Sequence, residues 1–374
     1  SSDLMTATAF TYQYLQGGNL LSLIDIKSLD LDELTTLVTE NGFEKFRAKQ
    51  IYQWLNKNVT SFDEMSNISA KIKDFLKRSC YISVANIEKK LISRYDKTVK
   101  YLFSFNDGEC VESVVMNYKH GYSICISTQV GCKMGCTFCA TGKSGFSRSL
   151  TPSEMLNQIE SAQKDLNIRI SNIVLMGMGE PLDNFDNVVK FLRLVSDDNG
   201  LNIGMRHITI STCGIVPKIY ELAKLHFGIT LSVSLHAPND TVRQKTMPIA
   251  KRYSMDELLK ACKDYFDITG RRVTFEYSMI SGVNDFDRDA YELADRLADM
   301  NCHVNLIPVN TVDGTGYKKS SIERQQAGFY NIYAKPFCAF FNKFQLMLVH
   351  IAGNNFAAVV HIFGCGKGGR AFTA

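Results

Sequence analysis

Over the first ninety residues apolar positions recur at helical spacing. A stripe runs from Leu29 to Leu37 after Ser28. FEKFRAKQIYQWL, residues 43–55, sets Phe46, Ile51, Tyr52 and Leu55 on one side and leaves Lys45, Arg47 and Lys49 outside it. Ser61 and Ser69 stand where caps of further short helices are expected. From Lys90 to Tyr118 the period drops to two (KYLFSF, CVESVVMNY), interrupted at Asn106-Asp107-Gly108, which predicts a hairpin joining the helical part to the next domain.

From Tyr122 onward short β-branched runs alternate with amphipathic segments six times. The predicted strands are 123–128, 172–176, 207–211, 230–235, 272–278 and 303–309, separated by helical stretches such as 152–165, 186–195, 216–225, 255–266 and 287–300. Such alternation means an α/β fold with a parallel sheet, either a partial barrel or a doubly wound sheet. Nearly every strand is followed by polar or glycine-containing sequence (GCKMGC, GMGEP, TCG, HAPND, GVND, NTVDG). Reactive groups belong there, because loops converge at the C-terminal ends of parallel strands. The expected organisation is a helical accessory domain over 1–89, a small β extension over 90–118, a β/α barrel over 119–326 and an atypical tail over 327–374.

With 374 residues, 45% hydrophobic and 21% charged, the chain is long enough for a large catalytic domain with accessory pieces. No apolar run reaches the roughly 20 residues that cross a bilayer, and the N-terminus lacks a basic start, so a cytoplasmic protein with no membrane partner is expected. Eleven cysteines at irregular spacing favour reduced thiols, some committed to metal or catalysis, over a disulfide framework. Residues 44–100 carry thirteen lysines and arginines against six acids. Such a zone suits a polyanion, although a solvated helix surface has the same composition.

Cys132-Lys-Met-Gly-Cys136-Thr-Phe-Cys139 directly follows the first predicted barrel strand. Three thiolates in eight residues can grip one face of a cubane 4Fe–4S cluster and leave one iron open. Gly131 and Gly135 allow the tight backbone this requires. A zinc knot completed by Cys125 or His236 remains open on spacing alone.

The C-x3-C-x2-C spacing after the first strand of a six-fold β/α repeat, with Phe138 before the third cysteine, resembles the radical S-adenosylmethionine (SAM) superfamily. Further strings occur in order: FRAKQIYQWL, CISTQVGCKMGCTFCATGKSGF, LMGMGEPLDN, ITISTCGIVP, SLHAPND, MPI and HVNLIPVN. Together they resemble the RlmN/Cfr group of adenine C2/C8 methyltransferases, the RlmN branch above all, over about residues 28 to 325. The resemblance implies a partial (β/α)6 radical SAM barrel with an N-terminal helical accessory domain, one 4Fe–4S cluster, SAM, rRNA and tRNA substrates, a low-potential electron donor such as flavodoxin or ferredoxin, and a monomer.

Carried over residue by residue, Cys132, Cys136 and Cys139 would hold the cluster. Gly179, Glu180, Ser211, Ser234, Leu235, His236 and Asn310 would contact SAM. Glu112 would be the general base and Cys125 the cysteine that resolves a protein–RNA adduct and leaves a disulfide. The implied reaction suits adenine C2, an electron-poor carbon closed to ordinary methyl transfer: a C-terminal cysteine accepts a methyl from one SAM, and a radical from a second SAM activates it. Cys125 would then attack sulfur as a thiolate, which calls for a lowered pKa. Outside the triad plainer readings also exist: Glu112 as a surface carboxylate, Cys125 as a core thiol, Ser211 as a strand-end hydroxyl.

The match fails in the tail. The family's Ala-Cys-Gly-Gln segment has no counterpart. Gly364-Cys365-Gly366-Lys367 shares only Cys-Gly, and Cys338 stands in an apolar run. No acid occurs in the 51 positions after Glu323, as a frameshifted reading of the gene end would produce. Cys365 is the candidate methyl carrier. Two competing readings stand beside the enzyme: a cluster- and SAM-binding RNA-binding protein without methyl transfer, and a structural zinc protein.

Overall fold

Six parallel strands form the centre of the molecule: Gly121–Cys125, Ile170–Leu175, Ile208–Thr212, Thr230–Ser234, Val273–Met279 and Cys302–Pro308. Each is hydrogen-bonded to the next in chain order. The order never reverses, so every crossover winds the same way, as in a barrel and not in a doubly wound sheet. The computed structural model describes residues 11–13, 22–119, 121–325, 347–351 and 355–362.

Alternation along the strands produces two chemically different faces. Ile208, Ile210, Leu231, Val233, Val273, Phe275, Val304 and Leu306 belong to the apolar core, packed with the helices Pro152–Leu166, Phe185–Ser196, Val216–Lys224, Met255–Thr269 and Asp287–Leu297. Ser211, Ser232, Ser234, Glu276 and Asn305 occupy the opposite, polar face, where Glu276 accepts from Ser232 (2.8 Å) and Asn305 (2.9 Å). Helix ends follow local chemistry. Thr151 and Ser254 close capping boxes with Glu154 and Glu257, and Gly270 terminates its helix at φ 67°.

Two features were not anticipated from the sequence. A short ribbon pairs Gln129–Gly131 with Phe146–Ser149 around the cysteine loop, and a helix over Asp240–Thr246, capped by Asn239, rises from the HAPND loop. The β extension is larger than a hairpin linker: Asn86–Ile92, which begins ahead of Lys90, Val99–Ser104 and Cys110–Tyr118 continue the barrel sheet through Gly121–Cys125. At the other edge Asn355–Ile362 runs antiparallel to the sixth strand and pairs with Met347–Ile351, giving eleven strands in one sheet.

The N-terminal helices Leu31–Glu40, Phe46–Leu55 and Ala70–Ser79 enclose a separate core containing Ile26, Leu34, Ile51, Met65 and Leu76. Asp30 caps the first of them. Phe46 is 52% exposed and lies under the Arg47 guanidinium; Ala48 takes its expected place among the buried residues. This unit is tied to the barrel by buried polar contacts. Lys27 pairs with Glu160 and donates to Asn157 (2.6 Å), while Asp25 accepts from Ser28, Thr151 and Ser153.

Candidate functional site

The cysteine triad sits in the loop between the two ribbon strands, at the C-terminal edge of the barrel. Gly131 enters the loop at φ 76°, so close to the returning chain that a Cβ there would lie 2.0 Å from the Gly145 carbonyl oxygen. Only glycine fits. The Cys132 amide donates to that same carbonyl (2.8 Å), and the Cys139 amide to Cys136 O (3.1 Å). The Thr137 amide donates to Thr246 O (2.9 Å), fixing the loop to the helix from the HAPND segment. All three cysteines are half-buried free thiols. Burial pushes Cys132 up to about 11 and Cys136 to about 12, so a bound cation is needed to hold them as thiolates.

Loops from the next strands meet this one. Gly179 adopts φ 103°, with Gln129 so near that a Cβ would fall 2.6 Å from its side chain. Buried Gln129 accepts from the Glu180 amide (2.9 Å) and donates to Asp183 (2.8 Å). The Glu180 carboxylate is itself buried and accepts the amides of Leu182 (3.0 Å) and Cys213 (2.7 Å). It therefore knots the second strand end to the third, and desolvation raises its pKa. Any cation at this point meets a carboxylate already engaged by backbone.

Ser211 and Ser234 lie on the polar barrel face. The side chain of Leu235 is in the core, and its carbonyl accepts from Arg243 Nε (3.2 Å), so only backbone is presented there. His236 is left-handed (φ 54°) and its Nδ1 accepts the Ser278 amide (2.9 Å). Nε2 then carries the proton. Burial, reinforced by Arg243, lowers its pKa to about 3, and the ring stands edge-on to Phe138 at 5.0 Å. Asn310 is exposed just beyond the sixth strand.

Glu112 and Cys125 come together on one face of the sheet. Val114 pairs with Cys125 across the antiparallel strands, and Glu112, two residues from Val114, shares its side. The Glu112 side chain is 48% exposed and forms an ion pair with Lys100 (2.7 Å). Cys125 departs from expectation: burial raises its thiol to about 11, the Met176 amide offsetting only part of that. Lowering it requires a cation or substrate that the side chains around it do not supply.

Sequence reading missed Gln129 and Arg243. Arg243 is fully buried, donates to Cys213 O (2.6 Å) and Ser234 O (3.2 Å), and has Nη1 without a partner among the described residues. An arginine in a short polar helix carries no sequence signal of burial. Cys338 and Cys365 lie outside the described residues. Ile362, the last described residue before Cys365, pairs with Cys302 at the barrel edge opposite the cysteine loop.

A cubane cluster fits the donor set. Three thiols share a loop that glycine alone permits, beside a buried guanidinium that offsets anionic charge. Among the described residues no three Cys, His, Asp or Glu side chains, those of the triad included, are close enough together to hold a single ion, and His236 Nδ1 is taken by backbone, which leaves only its Nε2 to a metal. The nine described cysteines are all free.

Comparison with known proteins agrees with this geometry. The family model of the radical SAM superfamily matches residues 126–313, and that of the ribosomal RNA large subunit methyltransferase N-terminal domain matches 24–82. The probable dual-specificity RNA methyltransferase RlmN of Alkaliphilus oremlandii is 57% identical over 300 residues, covering 80% of this chain and 88% of that protein. The protein of the same description from Clostridium tetani is 52% identical over 316 residues, 84% of this chain and 90% of its own. A crystal structure of a radical SAM methyltransferase from Sphaerobacter thermophilus superposes with a TM-score of 0.77 at 38% identity, covering 82% of this chain and 92% of that one. With the cysteine loop, the barrel and the N-terminal unit all matched, the chain belongs to the RlmN family of the radical SAM superfamily.

Proposed function

We propose that the protein methylates C2 of adenosine in ribosomal and transfer RNA by radical SAM chemistry. What supports this reading is that Glu112 and Cys125 share one face of the sheet, and that Cys132, Cys136, Cys139, Gly179 and Ser234 stand at the C-terminal ends of its parallel strands. Cys132, Cys136 and Cys139 would hold the 4Fe–4S cluster, which would supply the electron for radical chemistry from SAM. Glu112, reachable from solvent, takes the C2 proton of the RNA adduct once substrate displaces Lys100. Cys125 attacks the carrier sulfur as a thiolate, so that the S–S bond forms as the carbon–sulfur bond breaks, and the electron pair released toward the adenine methylene takes a proton to complete the methyl group. Neutral His236 offers an Nε2–H donor without adding charge. The proposed carrier is Cys365; because Ile362 pairs with Cys302 at the far edge and three residues reach only about 10 Å, its approach requires the strand Asn355–Ile362 itself to unpair from the sheet.

RNA reaches this edge past the N-terminal unit, whose cations stand over aromatic rings: Arg47 over Phe46, Lys57 over Trp54 and Lys71 over Phe43. Such pairs offer both charge and stacking surface to a nucleic acid. An external low-potential donor of the flavodoxin or ferredoxin type delivers the electron to a monomer in the cytoplasm. The test is anaerobic incubation with SAM, reductant and an rRNA fragment or tRNA, followed by nucleoside mass spectrometry. 2-Methyladenosine is expected, and 8-methyladenosine or unmodified RNA would overturn the reading. Peptide mapping after labelled SAM is expected to find the methyl on Cys365, and a label on Cys338 would move the carrier role there.

A further inference from the structure

Among the described residues Arg243 is a cation without a salt-bridge partner. It is fully buried within Asp240–Thr246. Three of its hydrogen bonds go to carbonyls at two strand ends: Cys213 O (2.6 Å) after the third strand, and Ser234 O (3.2 Å) and Leu235 O (3.2 Å) at the fourth. Nη1 has no partner among the described residues. Cys213 and Cys136 act on it most only when ionised, and after them the Asp240 carboxylate of its own helix, which already accepts the Met255 amide. Burial lowers its pKa, but a guanidinium starts so high that it keeps its proton. Its helix and the cysteine loop form one unit: Thr246 O accepts the Thr137 amide (2.9 Å), and Pro248 lies 3.8 Å from where a Cβ on Gly135 would stand.

We propose that Arg243 is a positioning residue for the radical reaction. It holds two strand ends through their carbonyls, and its remaining Nη1–H would donate to the anionic cluster that the triad would hold. The inference rests on the cluster-binding reading of the triad. A buried unpaired guanidinium is poorly tolerated, and a cluster held by three thiolates is the anion that fits beside it. Net charge and hydrogen bonds to sulfur set the potential of such clusters. A cationic donor stabilises the reduced, more negative state and so makes reduction by an external donor easier. The same contact couples the triad to the loop of Ser234, Leu235 and His236.

The test uses the reconstituted full chain and its Arg243→Gln and Arg243→Lys variants. Iron and sulfide content, an EPR-monitored redox titration and labelled-SAM equilibrium dialysis are measured on each. Cluster loading of Arg243→Gln should match the parent, while its reduction equilibrium falls at least tenfold, about 59 mV for one electron; SAM binding is expected to weaken as well, since Arg243 holds the Ser234 and Leu235 carbonyls, and the midpoint is therefore read without SAM. Arg243→Lys, which keeps the charge without the fork, should recover part of the shift. An unchanged midpoint in loaded Arg243→Gln overturns the proposal, as does an unchanged midpoint with weakened SAM binding, which would assign Nη1 to the SAM carboxylate. If Arg243→Gln fails to load, the Lys variant decides: a lowered midpoint supports the contact and a parental one overturns it. Failure of the parent to load a cluster would overturn the underlying reading as well.

Discussion

Gly131→Ala should empty the cluster site with limited damage to the fold. At φ 76° an added Cβ meets Gly145 O at 2.0 Å, Gly145 C at 2.8 Å and Phe146 Cα at 3.0 Å. All three are backbone atoms, so no side chain can swing away. A left-handed alanine costs roughly 1–2 kcal/mol, overpacking roughly 1–3, and breaking the Cys132 amide bond roughly 0.5–1.5. The ribbon relaxes by separating Gln129–Gly131 from Phe146–Ser149, which moves Cys132 relative to Cys136 and Cys139. Anaerobic reconstitution followed by iron analysis and absorbance near 400 nm measures the consequence, with circular dichroism reporting melting. The expected result is loss of most bound iron. If the whole strain of about 2.5–6.5 kcal/mol reached the global fold it would lower melting of a 374-residue chain by roughly 3–8 °C, and local opening of the ribbon should keep the observed drop near the lower figure. Gly270→Ala is the control: φ is 67°, but nothing lies within 4 Å of its Cβ, and it is remote from the triad. Full iron loading in Gly131→Ala, or equal loss in Gly270→Ala, would refute the steric reasoning.

Lys27→Met strands Glu160, a buried carboxylate whose pKa desolvation already raises. Denaturant titration should show a loss of about 3–5 kcal/mol, much of it restored by adding Glu160→Leu; no loss in the single variant would mean the pair does not tie the N-terminal unit to the barrel. Cys125 should resist alkylation in the folded, cluster-free protein until pH approaches about 11, whereas in urea it reacts near the ordinary thiol value of about 8.5. Because its folded pKa is raised, the neutral thiol's contribution to stability is complete below the unfolded value and is lost as pH climbs through the folded one; equal pH profiles for the two states would contradict the burial. Reversing the charges of Lys45, Arg47 and Lys49 should flatten the salt dependence of RNA binding by roughly 0.7–0.9 in slope for each phosphate no longer neutralised, while SAM cleavage without RNA stays at the parental rate. An unchanged slope would mark that face as merely solvated.

Much of the fold was legible in the sequence because periodicity is local. All six barrel strands lie within a few residues of their expected positions, and the outer helices begin where Thr151 and Ser254 announce them. Thiolate spacing is also local, so the triad could be named from the chain alone. Whether the sheet was a barrel or doubly wound depends on strand order, which periodicity does not encode; hydrogen bonding in strict sequence decided it. Phe46 fitted the apolar stripe, yet tertiary packing left it outside and buried Ala48, since a helix face is defined by what covers it. The raised thiol of Cys125, the engaged carboxylate of Glu180 and the burial of Arg243 were likewise invisible. Each depends on desolvation and on partners far away in sequence, and only the folded chain brings those to a residue.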